Sequence, residues 1–406
     1  MRNKKLNHVY AGVDCHKKSH TVTVINCFME KLGAITVGNQ EKEFAKLAAF
    51  VGQFETEGIT AIWGLEDING LGRRLAQYLV AKEKDVRFVN STLSAQEAKK
   101  QTTLQKDDSY DSFCVAKVLL ERLDTLPTST VKDDTYYIMN QLVTRRYKIV
   151  ENLLGLVNQL HAQLSYNYTD YHSFFYAVDS VSALDFWDKY PSADKLQGVT
   201  VTELAELFAK NFFTYELAEK KAQHILNSVT TNRDIDRQGL EMRDFLIRTF
   251  VKNIHFNEKE KDEIDQILKK LIKSLHTKIT TLPGVNYIAA SLLLAEIGDI
   301  RKFGSAAKLA RYAGCAPVEY SSGQKSKHFI DRKGNRKLNS TLFRIALNHI
   351  RCNPHSQKPV NPKMYEYYHR KISEGKTKMQ ALACVKRKLV DVIYNILTYN
   401  REYWQD

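Results

Sequence analysis

"HVYAGVDCHKKSHTVTVIN", residues His8 to Asn26, decides how the first third of the chain is read. It resolves into two strands. The first ends near Asp14. The second, "HTVTVIN", alternates apolar and polar side chains, as a strand does when its two faces meet different surroundings. Working outward, "GAITVGN" has the composition of a third strand, and "EKEFAKLAAFVGQF" has helical apolar spacing. "ITAIWGLED" reads as a buried strand ending at Glu66. "GLGRRLAQYLVAKE" is a helix and "VRFVN" a further strand.

A three-strand meander followed by β-α-β units is the order of a ribonuclease H-like sheet, so residues 1–130 are expected to form an α/β domain. Asp14 and Glu66 each close a predicted strand. If those strands are parallel neighbours, both carboxylates leave the same edge of the sheet, where active sites of open α/β sheets lie. "QKDDSYDSFCVAKVLLERL" follows as a helix with an acidic first turn. Asp108 and Asp111 share a face at a spacing of three, and Asp107 and Asp111 at a spacing of four, so spacing does not choose between Asp107 and Asp108. Four converging carboxylates repel one another unless a cation compensates. Oxygen ligands suit Mg²⁺ or Mn²⁺, and two such ions can stabilise the attacking and leaving oxygens of a phosphoryl transfer. The plainer reading is that acidic residues cap helices and turns and answer the helix dipole.

The chain has 406 residues, enough for two or three domains, and its hydrophobic content of 43% suffices for ordinary cores. No run approaches the roughly 18 apolar residues of a membrane span. The N-terminus is basic without the apolar core of a signal peptide. Six dispersed cysteines form no C-x-x-C pair, and the histidines show no zinc spacing. These features predict a cytoplasmic protein with reduced thiols and no membrane partner. Charge is uneven. Residues 301–406 hold 22 Lys and Arg against 7 Asp and Glu, whereas residues 1–300 hold 38 against 39. The whole excess of +14 therefore sits in the last quarter. Such asymmetry suggests a polyanion there, most simply nucleic acid and hence a nucleoid association; a solvated basic surface is the alternative.

Residues 131–279 read as helical, with a stripe of Met139, Leu142, Val143, Tyr147, Val150, Leu153, Leu154, Val157 and Leu160. "DRQGLEMRDFLIRTF" and "EKEKDEIDQILKKLIKSLHTKI" read as two long charged helices. Ile264, Ile267, Leu268, Leu271 and Leu275 are spaced as an inter-helix seam, which predicts a helical hairpin or a dimerising coiled-coil arm. Residues 280–406 read as a mostly helical basic domain. "LPGVNYIAASLLLAEIGDI" resembles a helix–hairpin–helix turn able to offer backbone N–H groups to a phosphate. Between two helices lies "PVEYSSGQKSKHFIDRKGNRKL", a basic stretch read as an exposed loop. Lys325, Lys327, Arg332, Lys333, Arg336 and Lys337 are its candidate nucleic-acid contacts. Ser321 and Ser322 are candidate nucleophiles, since a serine attacks only where a base, a metal or cations stabilise the developing charge.

Three stretches together resemble transposases of insertion-sequence family one-ten, the bridge-RNA-guided recombinases related to the Piv invertases. "YAGVD", "GLED" and "KDDSYD" match that family's D-E-D-D, RuvC-like domain. "LPGVNYIAASLLLAEIGDIRKFGSAAKLARYAG" matches the start of its C-terminal transposase domain. "APVEYSSGQKSKHFIDRKGNRKLNSTLFRIAL" matches the segment holding its nucleophilic serine. The family's K-x-D-x-x-D pattern falls on Lys106, Asp108 and Asp111, and its serine-glycine pair on Ser322-Gly323. The second motif departs, reading "EDINGLGR" where "EATG" is more usual. The resemblance implies Asp14, Glu66, Asp108 and Asp111 around Mg²⁺, with Ser322 forming a covalent link to DNA. It also implies a non-coding bridge RNA that pairs with donor and target DNA, and a homo-oligomer, dimer or tetramer.

Three other readings compete: a RuvC-like nuclease or junction resolvase with water as nucleophile, a non-catalytic nucleic-acid-binding scaffold, and a sugar-kinase-like enzyme. The last begins with a similar "GVD" strand but needs Gly-rich phosphate loops that this chain lacks.

Overall fold

A computed structural model describes residues 4–66, 70–100, 107–126, 128–129, 132–210, 214–231, 239–322, 325–330 and 334–403, with backbone alone at 132–133, 230–231, 317–322 and 325–330. The chain divides into two compact units, residues 1–140 with 271–406, and residues 141–270.

The first unit opens with the predicted meander, β1 (His8–Cys15), β2 (Ser19–Ile25) and β3 (Lys31–Gly38). Helix α1 (Glu41–Gly52) leads to β4 (Thr60–Glu66), then α2 (Arg73–Ala81), β5 (Asp85–Val89), α3 (Ser91–Ala98) and α4 (Asp108–Glu121). The sheet order is β3-β2-β1-β4-β5. β2 is antiparallel to both β1 and β3, while β1, β4 and β5 are parallel. The expected meander and β-α-β order is therefore what forms. The short helix α3 is an addition to that order; Asn90 starts it by accepting the Thr92 N–H at 2.8 Å.

Strand periodicity sorts β1 into two faces. Val9, Ala11 and Val13 enter one core with Phe44 and Leu47 of α1 and Leu75 and Leu79 of α2. Tyr10 belongs to a second core with Ile62 of β4 and Val115 and Leu119 of α4. By the period of two, Gly12 and Asp14 follow Tyr10 onto the α4 face, and Gly64 and Glu66 follow Ile62. The glycines let the helix come close. A Cβ at Gly12 would lie 2.3 Å from both Ala116 N and Ser112 O, and one at Gly64 would lie 3.0 Å from Leu119 Cδ2. At Gly12 only a residue without a side chain admits helix backbone at such a distance, while at Gly64 the space is taken by the Leu119 side chain.

The second unit holds most of α5 (Lys132–Asn167), then α6 (Val181–Lys189), α7 (Val201–Ala209), α8 (Tyr215–Thr231) and most of α9 (Leu240–Ser274). Two corrections arise here. The two predicted charged helices are one, because nothing between Phe250 and Glu258 breaks a helix. The buried rows also differ from those expected. On α5, Ile149 is buried and Leu154 is 65% exposed. On α9 the row runs through Ile264, Leu268 and Ile272, four residues apart, which leaves Ile267 exposed and Leu271 and Leu275 only part-buried. Within this unit α5 and α9 pair antiparallel. Arg145 Nε meets Glu260 Oε1 at 2.6 Å, Arg146 Nε meets Asp265 Oδ1 at 2.5 Å, and Asn167 Nδ2 donates to Asp244 Oδ1 at 3.1 Å. A cluster of Tyr168, Phe174, Phe186 and Trp187 fills the space beside them.

The chain then returns to the first unit through α10 (Tyr287–Ile297), α11 (Ala306–Tyr312), β6 (Pro317–Ser322), β7 (Lys325–Ile330), α12 (Arg336–His349), α13 (Pro362–Ser373) and α14 (Lys378–Tyr399). The basic stretch read as a loop is an antiparallel hairpin of β6 and β7. Its "VEY" and "HFI" segments carry the β-branched and aromatic residues that favour pairing, which the density of lysines hid. Helix α12 begins at Arg336, earlier than the composition suggested.

Candidate active site

The parallel register sets Asp14 directly beside Glu66, the last residue of β4. Both therefore stand at the carboxyl edge of the sheet, on its α4 side. Helix α4 is tied down at the same end. Thr23 Oγ1 lies 2.7 Å from Ser112 Oγ, and Lys31 Nζ donates to Ser109 Oγ at 2.7 Å. Asp107 is the N-cap, its Oδ1 accepting the Tyr110 N–H at 2.6 Å. That occupies the aspartate which spacing alone could not distinguish from its neighbour. Asp108 and Asp111 are left in the first helical turn, one exposed and one part-buried. A helix N-terminus stabilises such charges by its partial positive end.

Sequence reading missed His16. Its Nε2 lies 2.8 Å from Asp14 Oδ2 and 3.7 Å from Asp108 Oδ1. Ligand atoms of Asp14, His16 and Asp108 all lie within 4.8 Å of one another. Glu66 and Asp111 do not join that set, though each acts on Asp14 through its charge. The available signal was "DCH": a histidine two residues after a strand-end aspartate falls near it where the chain turns back tightly, here by the His16 N–H donating to Ser19 O at 3.0 Å.

Asp14 is 9% exposed. Burial raises its pKa above the ordinary carboxylate value; Glu66 and Asp111 add to this, and His16 opposes it. Its Oδ2 is buried without an aligned hydrogen-bond donor. His16 acts on Asp14 both through its charge and through a poorly aligned side-chain hydrogen bond, each of which lowers the Asp14 pKa. A buried carboxylate with so little donor support, under the charges of Glu66 and Asp111, is under-compensated and suits a hard divalent cation. The residues present therefore fit the expected metal.

The candidate serine occupies a different frame. Ser322 is the last residue of β6, and its backbone pairs with Lys325, the first of β7; Ser321 pairs with Ser326. The side chains of Ser322, Lys325 and Lys327, and the whole of Gly323, Arg332 and Lys333, lie outside the described residues. Beyond the hairpin the chain is firmly placed. A Cβ on Gly334 would meet Gly314 Cα at 2.4 Å, so the segments before and after the hairpin are closely apposed. Asn335 Nδ2 donates to Glu296 Oε2 at 2.6 Å, while Asn335 Oδ1 caps α12 through the Leu338 N–H. Asn339 Nδ2 donates to the carbonyls of Ala313 and Gly314. Arg336 and Lys337 are exposed in the first turn of α12, with Lys337 Nζ 3.9 Å from Glu296 Oε1.

Comparison with known proteins covers both frames. Residues 11–168 match a transposase family model of the DEDD, IS110 type, and residues 276–361 match the Transposase IS116/IS110/IS902 family. An uncharacterized 42 kDa protein of insertion element IS900 from Mycobacterium paratuberculosis is 25% identical over 97% of each chain. An uncharacterized 43.6 kDa protein of insertion element IS110 from Streptomyces coelicolor is 24% identical over 72% of this chain and 70% of its own. The pilin gene-inverting protein of Moraxella bovis is 32% identical over 31% of this chain and 37% of its own.

Proposed function

From the premise that the chain belongs to the IS116/IS110/IS902 family of transposases, enzymes that cut and rejoin DNA, we propose that it moves its own insertion sequence through a composite serine and metal site. The observation that carries this reading is the register of Asp14 beside Glu66 at the sheet edge, with the acidic first turn of α4 held over them. The strand order supports a ribonuclease H-like, specifically RuvC-like, assignment. Mg²⁺ or Mn²⁺ held by Asp14, Glu66, Asp108 and Asp111 would supply positive charge for oxygens that gain negative charge during phosphoryl transfer.

Ser322 is the proposed nucleophile. Its oxygen bonds to phosphorus as the bond to a deoxyribose oxygen breaks, and the serine proton passes to a carboxylate or water while the departing oxygen is protonated. A deoxyribose hydroxyl of an exchanged strand then displaces the serine. Each phosphodiester is traded for another ester, so rejoining requires no nucleotide triphosphate. Lys325, Lys327, Arg332, Lys333, Arg336 and Lys337 would neutralise nucleic-acid phosphates. The charge of residues 301–406 and the two cations in the first turn of α12 support this. Lys337 has Glu296 Oε1 at 3.9 Å, and a phosphate at this helix start would meet both exposed cations together with the backbone N–H groups of the first turn. We further read a bridge RNA as the source of sequence choice and a homo-oligomer as the working form. The functional division is 1–130, 131–279 and 280–406.

The deciding test treats the purified protein with its own element ends, then denatures it and looks for protein joined covalently to DNA. Adducts should form with the wild type and vanish with Ser322→Ala. Adducts that persist in Ser322→Ala overturn the nucleophile; strand cleavage that persists without any adduct favours the RuvC-like nuclease with water as nucleophile. Sequencing RNA from protein purified with its flanking DNA tests the guide. Recovery of a single element-encoded RNA is expected, and only bulk cellular RNA would remove it.

A further inference from the structure

We propose that His16 is a nitrogen ligand of the metal centre, so that this site favours Mn²⁺ over Mg²⁺ more than four carboxylates alone would. The inference rests on the carboxylate centre proposed above and adds a donor of another chemical kind.

The distances suit it. With metal–ligand bonds of about 2.1 Å, neighbouring ligand atoms of one octahedral ion lie about 3 Å apart and opposite ones about 4.2 Å apart. His16 Nε2 stands 2.8 Å from Asp14 Oδ2, close to the separation of neighbouring ligands, and 3.7 Å from Asp108 Oδ1, between the two separations. The second observation is the setting of Asp14 Oδ2, which is buried, has the imidazole 2.8 Å away in a poorly aligned hydrogen bond, and lies under the charges of Glu66 and Asp111. An imidazole N–H alone leaves those carboxylate charges uncompensated, whereas a cation shared by Asp14 and His16 offsets them.

The ring is brought there by backbone rather than by chance. Cys15 pairs with His20 at the end of the β1–β2 ladder, and the His16 N–H closes the turn on Ser19 O. The side chain is 50% exposed, so a metal and its bound waters can reach it from solvent. Imidazole strengthens binding of Mn²⁺ more than that of Mg²⁺, which prefers oxygen. In the bound form His16 is neutral at Nε2, as a ligand must be.

The test loads the full-length protein with Mn²⁺ alone and records pulsed electron paramagnetic resonance. Wild type should show coupling to a histidine nitrogen. His16→Gln, which offers an amide oxygen, should bind Mn²⁺ but lose that coupling. His16→Ala should lower the Mn²⁺-to-Mg²⁺ affinity ratio by about tenfold or more in competition titrations. Asp14→Asn, included as the control for the carboxylates, should remove tight binding from either background. Mn²⁺ bound in an Asp14-dependent way without nitrogen coupling overturns the ligand role and leaves the carboxylate centre standing. Failure to bind Mn²⁺ in any Asp14-dependent way overturns both.

Discussion

The acidic sheet edge and the basic hairpin region are built on opposite plans. At the sheet edge a nearly buried Asp14 is fixed by strand register, by glycines that admit a helix, and by a cap that separates Asp107 from its neighbours. In the hairpin region the backbone is pinned by Gly334 against Gly314 and by the bonds of Asn335, yet Arg336 and Lys337 are exposed to solvent. The difference reflects what each charge must do. On the proposed reading, carboxylates that share an ion are held to fractions of an ångström, and Asp14 bears a cost of burial for it. Cations that attract a polyanion act through a field reaching about 10 Å and gain from mobility and exposure.

The strongest way to separate the two regions is to disable each in turn. Asp14→Asn keeps the shape of the side chain and removes its charge. Strand transfer between element ends should fall on the order of 10³-fold or more. Nucleic-acid affinity should stay within about twofold, because phosphate neutralisation is supplied elsewhere. A parallel loss of affinity would show that the two plans are not independent.

Gly12→Ala attacks the same region through packing alone. A methyl group at that position meets the backbone of Ser112 and Ala116, neither of which can rotate away. A loss of about 2–3 kcal/mol in denaturant unfolding is expected, with strand transfer impaired because α4 must move off β1. A fully stable, active variant would mean that the helix is not held where the sheet register needs it.

Lys333→Glu with Arg336→Glu probes the other plan. Binding to duplex DNA should weaken, and the slope of log affinity against log salt should become shallower by about 2. Divalent-metal binding should be unchanged. An unaltered slope would remove these two residues from the phosphate contacts.

How well each region could be read from sequence reflects the same contrast. Strand alternation, strand-end carboxylates and an acidic helix start are local patterns, so β1, β4 and the first turn of α4 were visible with little help. Choosing Asp108 over Asp107 was not possible from spacing, since either aspartate could have been the cap. For His16 the sequence offered only the local "DCH" spacing to Asp14, because its proximity to Asp108 depends on a helix nearly a hundred residues away. The hairpin at β6 and β7 was concealed because the serines and lysines on either side of its turn dominate the composition and outweigh its few strand-forming residues. In the second unit, helix existence was readable, but the buried row was not. Ile267 is as apolar as its neighbour Leu268, and the two differ only in which side of α9 meets a packing partner.

The smallest effect concerns what holds α12 in place. His349 is buried at its C-terminal end, where Nε2–H donates to Pro283 O at 2.5 Å and Nδ1 faces Asn361 Nδ2 at 3.3 Å. Asn348 beside it packs on Gly284, whose φ of +73° suits glycine. Burial lowers the His349 pKa below its ordinary value, and the bond to Pro283 only partly opposes this. The unfolded chain therefore takes up a proton before the folded one does. Stability is full above the unfolded pKa near 6.5 and falls as pH drops below it toward the folded value, by at most about 1.4 kcal/mol per pH unit. His349→Gln keeps a donor for Pro283 and cannot titrate, so its melting temperature should change less than that of wild type between about pH 7.5 and pH 5. Equal pH dependence in the two proteins would show that folding does not oppose the protonation of His349. A difference would mean that the helix carrying the exposed cations Arg336 and Lys337 ends on a buried histidine whose protonation the fold opposes, as burial at the sheet edge opposes the ionisation of Asp14.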